Sequence, residues 1–261
     1  MLRIIRSNEA ISPVIGMALI LGIVVTAVGI IYSVEMPKIE SAREQAQMEN
    51  MRSNFLTLQT DIRDLVQSPS TGRVTKMQVE AGSIGAYAAG SKNGTGYVRY
   101  IASDNIIAYE NGAVFAKYAG NDYAEVISDP IMYVDVDSDT NITHVYIHTI
   151  RLNGSKSVAG TGPAEFALRR GPTEPYKDEN NVSLTNVPMT NVSFIISSTF
   201  YRGWEEYFQE ILASTALDEG AGDYNVTSLD ENVTISIEGK NHTMEEHDLL
   251  LYAVKTEVII S

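Results

Sequence analysis

An uncharged stretch of 23 residues, 10–32, constrains this chain more than any other feature of its sequence. As a helix it would be roughly 34 Å long, enough to cross the hydrocarbon core of a bilayer. A helix in a soluble core rarely has so many consecutive uncharged residues. The sequence therefore predicts one membrane-spanning helix near the N-terminus.

Charges on either side of this stretch predict its orientation. Arg3 and Arg6 precede it and Glu35 follows it, so the positive-inside rule places the N-terminus in the cytoplasm and the rest of the chain outside the cell. Residues 1–32 carry a net charge of +1, which leaves −15 for residues 33–261. Such an acidic body repels phosphate backbones, and we expect no nucleic-acid partner.

Composition predicts a folded body without cysteine chemistry. Hydrophobic residues make up 44% of the 261 residues, and charged residues 20%, as in folded proteins. The absence of cysteine excludes disulfides, thiolate nucleophiles and cysteine-ligated metals.

The apolar stretch continues into a second helical pattern. Pro37 is expected to kink the helix or to end a turn, but residues 38–67 contain neither glycine nor proline. Apolar residues recur there every three or four positions, and polar residues lie opposite. The apolar stripe is Met48, Met51, Phe55, Leu58, Ile62 and Leu65; the polar positions are Glu44, Glu49, Arg52 and Asp61. We expect the stripe to pack against a sheet of the same chain.

After residue 68 the pattern changes to short runs typical of β-strands. The predicted strands are 74–79, 97–101, 106–109, 113–118, 131–136, 144–152, 166–169, 192–199, 233–237 and 249–260. Asn111-Gly112 between apolar runs predicts a hairpin. One helix, 204–213, interrupts the strands, and we expect its Trp204 to be buried against the sheet.

These patterns predict an α+β fold in three segments. Residues 1–9 form a basic leader that is a candidate for cleavage. Residues 10–67 form a long helix that spans the membrane over 10–32. Residues 68–261 form an extracellular, mostly antiparallel β-sheet or sandwich domain with one further short helix.

The start of the chain resembles a known family. The segment Ser12-Pro13-Val14-Ile15-Gly16, behind a short basic and polar leader, is similar to the N-terminus of archaeal type IV pilins. The resemblance implies a prepilin-peptidase-like enzyme as a partner, cutting between Glu9 and Ala10. Glu9 departs from the pattern, because these pilins usually have glycine or a basic residue there.

A second resemblance extends further along the chain. The helix end at 61–65, the turn Ser70-Thr71-Gly72 and the later Leu152-Asn153-Gly154 are similar to an uncharacterised archaeal family. Its members are membrane-anchored surface proteins with pilin-type N-termini. This resemblance implies a location and an architecture, and no activity.

Eight Asn-x-Ser/Thr motifs predict glycosylation of the outer part. They lie at Asn93, Asn141, Asn153, Asn181, Asn191, Asn225, Asn232 and Asn241. The segment predicted to lie outside the cell contains all of them, although a turn-rich β protein also accumulates such residues.

An acidic segment offers a candidate calcium site. Asp135, Asp137, Asp139 and Asn141 alternate, and their oxygens are ligands that Ca²⁺ prefers. Thr140 stands where an EF-hand loop needs glycine. The alternative is an ordinary acidic turn, in which strand alternation places the three aspartates on one solvated face.

Histidine spacing gives no zinc site. His144 and His148 would lie about 13 Å apart along a strand, and His242 and His247 are five residues apart, which does not suit one helical face.

The chain contains no nucleophile-elbow, phosphate-loop or dinucleotide motif. We expect no catalytic activity, and no cofactor other than the candidate calcium ion of the acidic segment.

Two functions fit these observations. The first is a pilin-like structural subunit of an archaeal surface filament, in which residues 10–32 self-associate with copies or with other pilin subunits. Gly16, Gly22 and Gly29 would permit close helix approach. The second is a permanently membrane-anchored extracellular surface or binding module of the cell envelope.

Overall fold

The computed structural model describes residues 13–68, 71–90, 94–238 and 249–261. The chain divides into two compact units, one ending at Met48 and the other comprising Glu49–Ser261. The boundary falls within the first helix, α1 (Pro13–Gln67). The predicted α+β class is confirmed: a long apolar N-terminal helix precedes mostly antiparallel sheets and one further short helix.

α1 is continuous through Pro37, so the helix does not end at this residue. The helix ends instead at Gln67, where Ser68 precedes Pro69 and donates its N–H to the carbonyl oxygen of Asp64 at 2.9 Å. A residue before proline disfavours the helical conformation, which accounts for this end.

Within the second unit, the C-terminal part of α1 buries the predicted stripe. Met51, Phe55, Leu58, Ile62 and Leu65 are all at most 2% exposed. The predicted apolar face is therefore confirmed for these residues, and their burial supplies about 2 kcal/mol each.

Asp61 corrects the prediction for the opposite face. Its carboxylate accepts a 2.7 Å hydrogen bond from the Thr75 hydroxyl and lies 3.1 Å from Nη1 of Arg73. The Nη2 atom of Arg73 lies 2.9 Å from the Asp64 carboxylate. Asp61 therefore faces a strand of the body, because its two polar partners lie there.

Fifteen strands follow α1 in the described residues. They are β1 (Gly72–Val79), β2 (Ser83–Tyr87), β3 (Tyr97–Ala102), β4 (Asn105–Glu110), β5 (Ala113–Lys117), β6 (Glu125–Ser128), β7 (Met132–Val136), β8 (Thr143–Asn153), β9 (Lys156–Ala159), β10 (Gly162–Pro175), β11 (Thr185–Met189), β12 (Val192–Ser197), β13 (Tyr224–Leu229), β14 (Asn232–Ile237) and β15 (Leu249–Ile260). Helix α2 (Tyr201–Ala213) follows β12, and a 3₁₀ turn (Glu219–Ala221) precedes β13.

The strands form three sheets. A six-stranded sheet has the order β1-β10-β15-β8-β7, with β11 also paired to β15. A second six-stranded sheet has the order β6-β5-β4-β3-β2-β9, and a three-stranded sheet the order β12-β14-β13. Among the described strands, β15 and β8 are the one parallel pair.

The predicted hairpin between β4 and β5 is confirmed. Asn111 and Gly112 have φ values of 48° and 88°, and Glu110 pairs with Ala113 across them. Two consecutive positive φ values are what a tight hairpin turn needs, and asparagine and glycine adopt them at low cost.

Trp204 is buried as predicted, at 0% exposed. Its ring lies 5.3 Å from that of Phe115 in an edge arrangement, and its Nε1 is 3.4 Å from the Glu110 carboxylate. α2 begins three residues before the predicted start, and it packs into the core formed with the three-stranded sheet.

Candidate functional site

The apolar part of α1 has no protein cover. Val14 is 75% exposed and Met17 is 76% exposed. The most apolar window of the helix has a mean hydropathy of 2.8 and none of it is buried. Among the described residues, α1 is the one helix long and apolar enough to cross a membrane, which fits a single-pass membrane protein.

Two hydroxyl side chains of this segment are satisfied within the helix. Thr26 donates its hydroxyl to the carbonyl oxygen of Gly22 at 2.7 Å, and Ser33 donates to that of Ile30 at 3.0 Å. In hydrocarbon an unpaired hydroxyl would be costly, and these bonds remove that cost.

Small residues form a shallow groove on the same helix. Ala18, Gly22 and Thr26 follow one another at intervals of four and line it with larger apolar neighbours. A Cβ atom on Gly22 would meet nothing within 4 Å. This spacing of small residues is typical of helices that pack closely in membranes.

The acidic segment closes the hairpin between β7 and β8. Asp135 lies in β7, whereas Asp137 accepts hydrogen bonds on Oδ1 from the N–H groups of Asp139 (2.8 Å) and Thr140 (3.2 Å). These bonds hold the pKa of the Asp137 carboxyl below its usual value. Asn141 has a φ of 55° in the turn.

This geometry corrects the expected alternation, because only Asp135 of the aspartates lies in a strand. In the parts of the chain that the structure describes, no three His, Asp or Glu side chains are grouped to hold a metal. The calcium site stays a prediction, and Oδ1 of Asp137 already accepts two hydrogen bonds within the turn.

Six of the eight predicted glycosylation positions lie in described residues. Asn141, Asn153, Asn181, Asn191 and Asn225 are exposed, whereas Asn232 is half-buried. Asn232 also uses both polar atoms: its Nδ2 donates to the carbonyl oxygen of Asp230 and its Oδ1 accepts from the Ser197 hydroxyl. The structure therefore distinguishes Asn232 from the other acceptors.

Further predicted positions lie outside the described residues. They are Glu9 and Ala10 at the cleavage site, the acceptors Asn93 and Asn241, and the pair His242 and His247.

His148 belongs to a buried polar chain. It is 6% exposed, and its Nε2 lies 2.8 Å from the Thr256 hydroxyl, which lies 2.9 Å from the hydroxyl of Thr173. Burial, and secondly the charge of Arg170, lower the pKa of His148. His144 is half-buried on the same strand, in register with Asp135.

Sequence reasoning missed a row of stacked tyrosines. The Tyr133 and Tyr146 rings lie 4.8 Å apart, and those of Tyr146 and Tyr252 lie 5.0 Å apart, nearly parallel in both cases. Tyr133 is 51% exposed. The row depends on the register of β7, β8 and β15, which the spacing of tyrosines in the sequence does not reveal.

Comparisons with known proteins show the family of this chain. An uncharacterized protein of Archaeoglobus fulgidus is 28% identical over 155 residues, which cover 56% of this chain and 48% of that relative. The match thus spans about half the length of the relative. No solved structure matches the chain. A model of the family of unknown function DUF7289 matches residues 9–244. The chain belongs to this family, DUF7289.

Proposed function

We propose that this chain is a pilin-like, non-catalytic structural subunit of an archaeal cell-surface filament. The observation that carries the proposal is the uncovered apolar segment of α1, in which Val14 is 75% exposed and Met17 is 76% exposed. Lipid can cover such a surface before assembly, and copies of the same helix can cover it afterwards.

The small-residue groove supports helix packing over simple anchoring. Ala18, Gly22 and Thr26 leave a shallow depression in which another helix can approach closely. A helix that only anchors a body needs apolar length and no such groove.

The proposal includes processing and topology. A prepilin-peptidase-like enzyme cuts between Glu9 and Ala10 on the cytoplasmic side, and the β-rich body lies outside the cell with its exposed acceptor asparagines glycosylated. Two features support this processing and topology. Residues 12–16 resemble archaeal type IV pilins, and the basic residues Arg3 and Arg6 precede the apolar stretch.

A fixed surface module is the second candidate. Glu9, which departs from the residue usual before a prepilin cut, favours it. In this case α1 stays in the membrane, and the body serves the envelope or binds an external ligand.

Mechanical shearing of native cells separates the two candidates. A filament subunit leaves the cells with high-molecular-weight filaments that sediment after shearing. A fixed module stays in the membrane fraction and is released only by detergent. Recovery of the chain solely in the membrane fraction would contradict the filament proposal.

A further inference from the structure

An open strand edge lies beside an apolar groove in the second unit. β12 pairs with β14 along Val192–Ser197, from Val192 opposite Ile237 to Ser197 opposite Asn232. On the other side of β12, no main-chain hydrogen bond is formed by the described residues. Six residues offer an open edge of about 20 Å.

This edge lacks the usual protection against pairing. Residues 192–197 contain no charge and no proline, and the register with β14 has no bulge. Ile195 is 65% exposed. By contrast, the outer strands of the two six-stranded sheets carry charges: Lys76 on β1, Asp135 on β7, Glu125 on β6 and Lys156 on β9.

The groove has a volume of about 560 Å³ and runs between β12 and one face of a six-stranded sheet. Its floor comes from the parallel strands β8 and β15, in which Ala253 is in register with Ile147 and Lys255 with Thr149. On β8 the residues lining the groove are Ile147, Thr149 and Arg151; on β15 they are Leu251, Ala253 and Lys255. Both strands therefore change from apolar to cationic in the same direction.

The cationic end of the groove suits a carboxylate. Arg151 forms no ion pair within the described part of the chain, and Lys255 forms one weak pair with Glu174 at 3.5 Å. The neighbouring carboxylate of Glu257 accepts a 2.7 Å hydrogen bond from Asn153. The chain has a net charge of −14, but the side chains that line this end of the groove, Arg151 and Lys255, are cationic and favour an acidic ligand.

From this geometry we propose that the groove binds an extended acidic peptide segment, which adds to β12 as a fourth strand of the three-stranded sheet. Its main chain pairs with the open edge of β12, its alternate apolar side chains contact Ile147, Leu251 and Ala253, and its acidic residues meet Arg151 and Lys255.

The main chain of β12 favours a peptide over a lipid in this groove. All six residues of β12 line it, so unpaired N–H and C=O groups face the occupant. An acyl chain would remove water from these groups without replacing its hydrogen bonds, which disfavours its binding. A peptide strand replaces those bonds.

A labelled synthetic peptide tests the proposal on the full chain in detergent micelles. The probe alternates valine and threonine and ends in two glutamates, and fluorescence anisotropy measures its binding. We expect saturable binding that Ile195→Lys and the double variant Arg151→Glu/Lys255→Glu each weaken at least about tenfold. The matched control is Leu229→Lys, on the other edge strand of the same sheet and 74% exposed, which should leave binding unchanged.

A second probe distinguishes strand addition from apolar binding. The same peptide with alternate main-chain nitrogens methylated keeps its side chains and loses N–H donors, and we expect it not to bind. Equal binding of both peptides, or displacement of both by an anionic single-chain amphiphile, would show an apolar site and overturn the proposal. Absence of saturable binding, or equal loss with Leu229→Lys and Ile195→Lys, would overturn it as well.

Discussion

The side-chain amide of Gln59, on α1, donates a 2.6 Å hydrogen bond to the main-chain carbonyl oxygen of Gly112, in the turn between β4 and β5. The same nitrogen lies 2.9 Å from the carbonyl oxygen of Asp129, and the amide oxygen accepts from the Ser128 hydroxyl at 2.6 Å. Gln59 is 5% exposed. One buried amide thus joins α1 to the turn and to the end of β6.

Replacing this amide should destabilise the body. Gln59→Leu leaves the carbonyl oxygens of Gly112 and Asp129 without this donor, and we expect a loss of about 3 kcal/mol in the free energy of unfolding. Urea unfolding of the full chain in detergent micelles measures it. The control Gln78→Leu, at an exposed position of β1, should change stability by less than about 0.5 kcal/mol. Equal stability of both variants would show that the amide contributes nothing.

The pKa of His148 predicts a pH dependence of stability. Burial lowers the pKa of His148 in the folded chain below that in the unfolded chain, so the unfolded chain binds more protons in this range. The resulting contribution of His148 to the free energy of unfolding is complete above the pKa of the unfolded chain, about 6.5. It is lost as the pH falls below that value, by at most about 1.4 kcal/mol per pH unit.

Two variants test whether His148 causes this pH dependence of stability. We expect His148→Gln to flatten the fall in unfolding free energy between neutral and mildly acidic pH, and His144→Gln, on the same strand, to retain it. Urea unfolding at a series of pH values provides the measurement. A slope that persists in His148→Gln would refute the assignment to His148.

Filling the small-residue groove should prevent helix packing without preventing membrane insertion. Gly22→Leu places a branched side chain in the groove, whereas Val25→Leu changes an exposed apolar residue that does not line it. Under the filament proposal, the Gly22→Leu variant gives no filaments in sheared material, and the variant protein stays in the membrane fraction. Val25→Leu should still assemble. Filaments formed by Gly22→Leu at normal yield would count against packing through this groove.

The exposure of the acceptor asparagines predicts an order of glycan occupancy among them. Asn191 and Asn225 are exposed, and no described side-chain hydrogen bond engages them, whereas Asn232 is half-buried and bonded through both polar atoms. We expect glycans at Asn191 and Asn225 and the lowest occupancy at Asn232, as measured by mass spectrometry of glycopeptides from native membranes. A glycan at Asn232 with the other two bare would reverse this prediction.

Local patterns were enough to predict the helices and ten strands. The uncharged stretch, the stripe from Met51 to Leu65 and the Asn111-Gly112 turn each depend on nearby residues. Five strands were missed: β2, β6, β9, β11 and β13. β2 contains Gly85, and β11 contains Pro188, residues that are normally depleted in strands, so local propensity gives no signal there.

The features with functional interest depend on distant pairing. The parallel register of β8 and β15 brings Arg151 and Lys255 to one face, and it also places Tyr146 beside Tyr252. Residues about a hundred positions apart in the sequence meet only when the sheet order is known. The sequence predicted the acidic turn at Asp137, but its side-chain bonding to Asp139 and Thr140 required the structure.

The N-terminus of the mature chain tests the filament proposal most directly. Mass spectrometry of the protein from native membranes and sheared filaments identifies this residue. We predict a chain that begins at Ala10, as expected for prepilin-type cleavage after Glu9. A chain that still begins at Met1 would keep its basic leader, and it would contradict the filament proposal in favour of a fixed surface module.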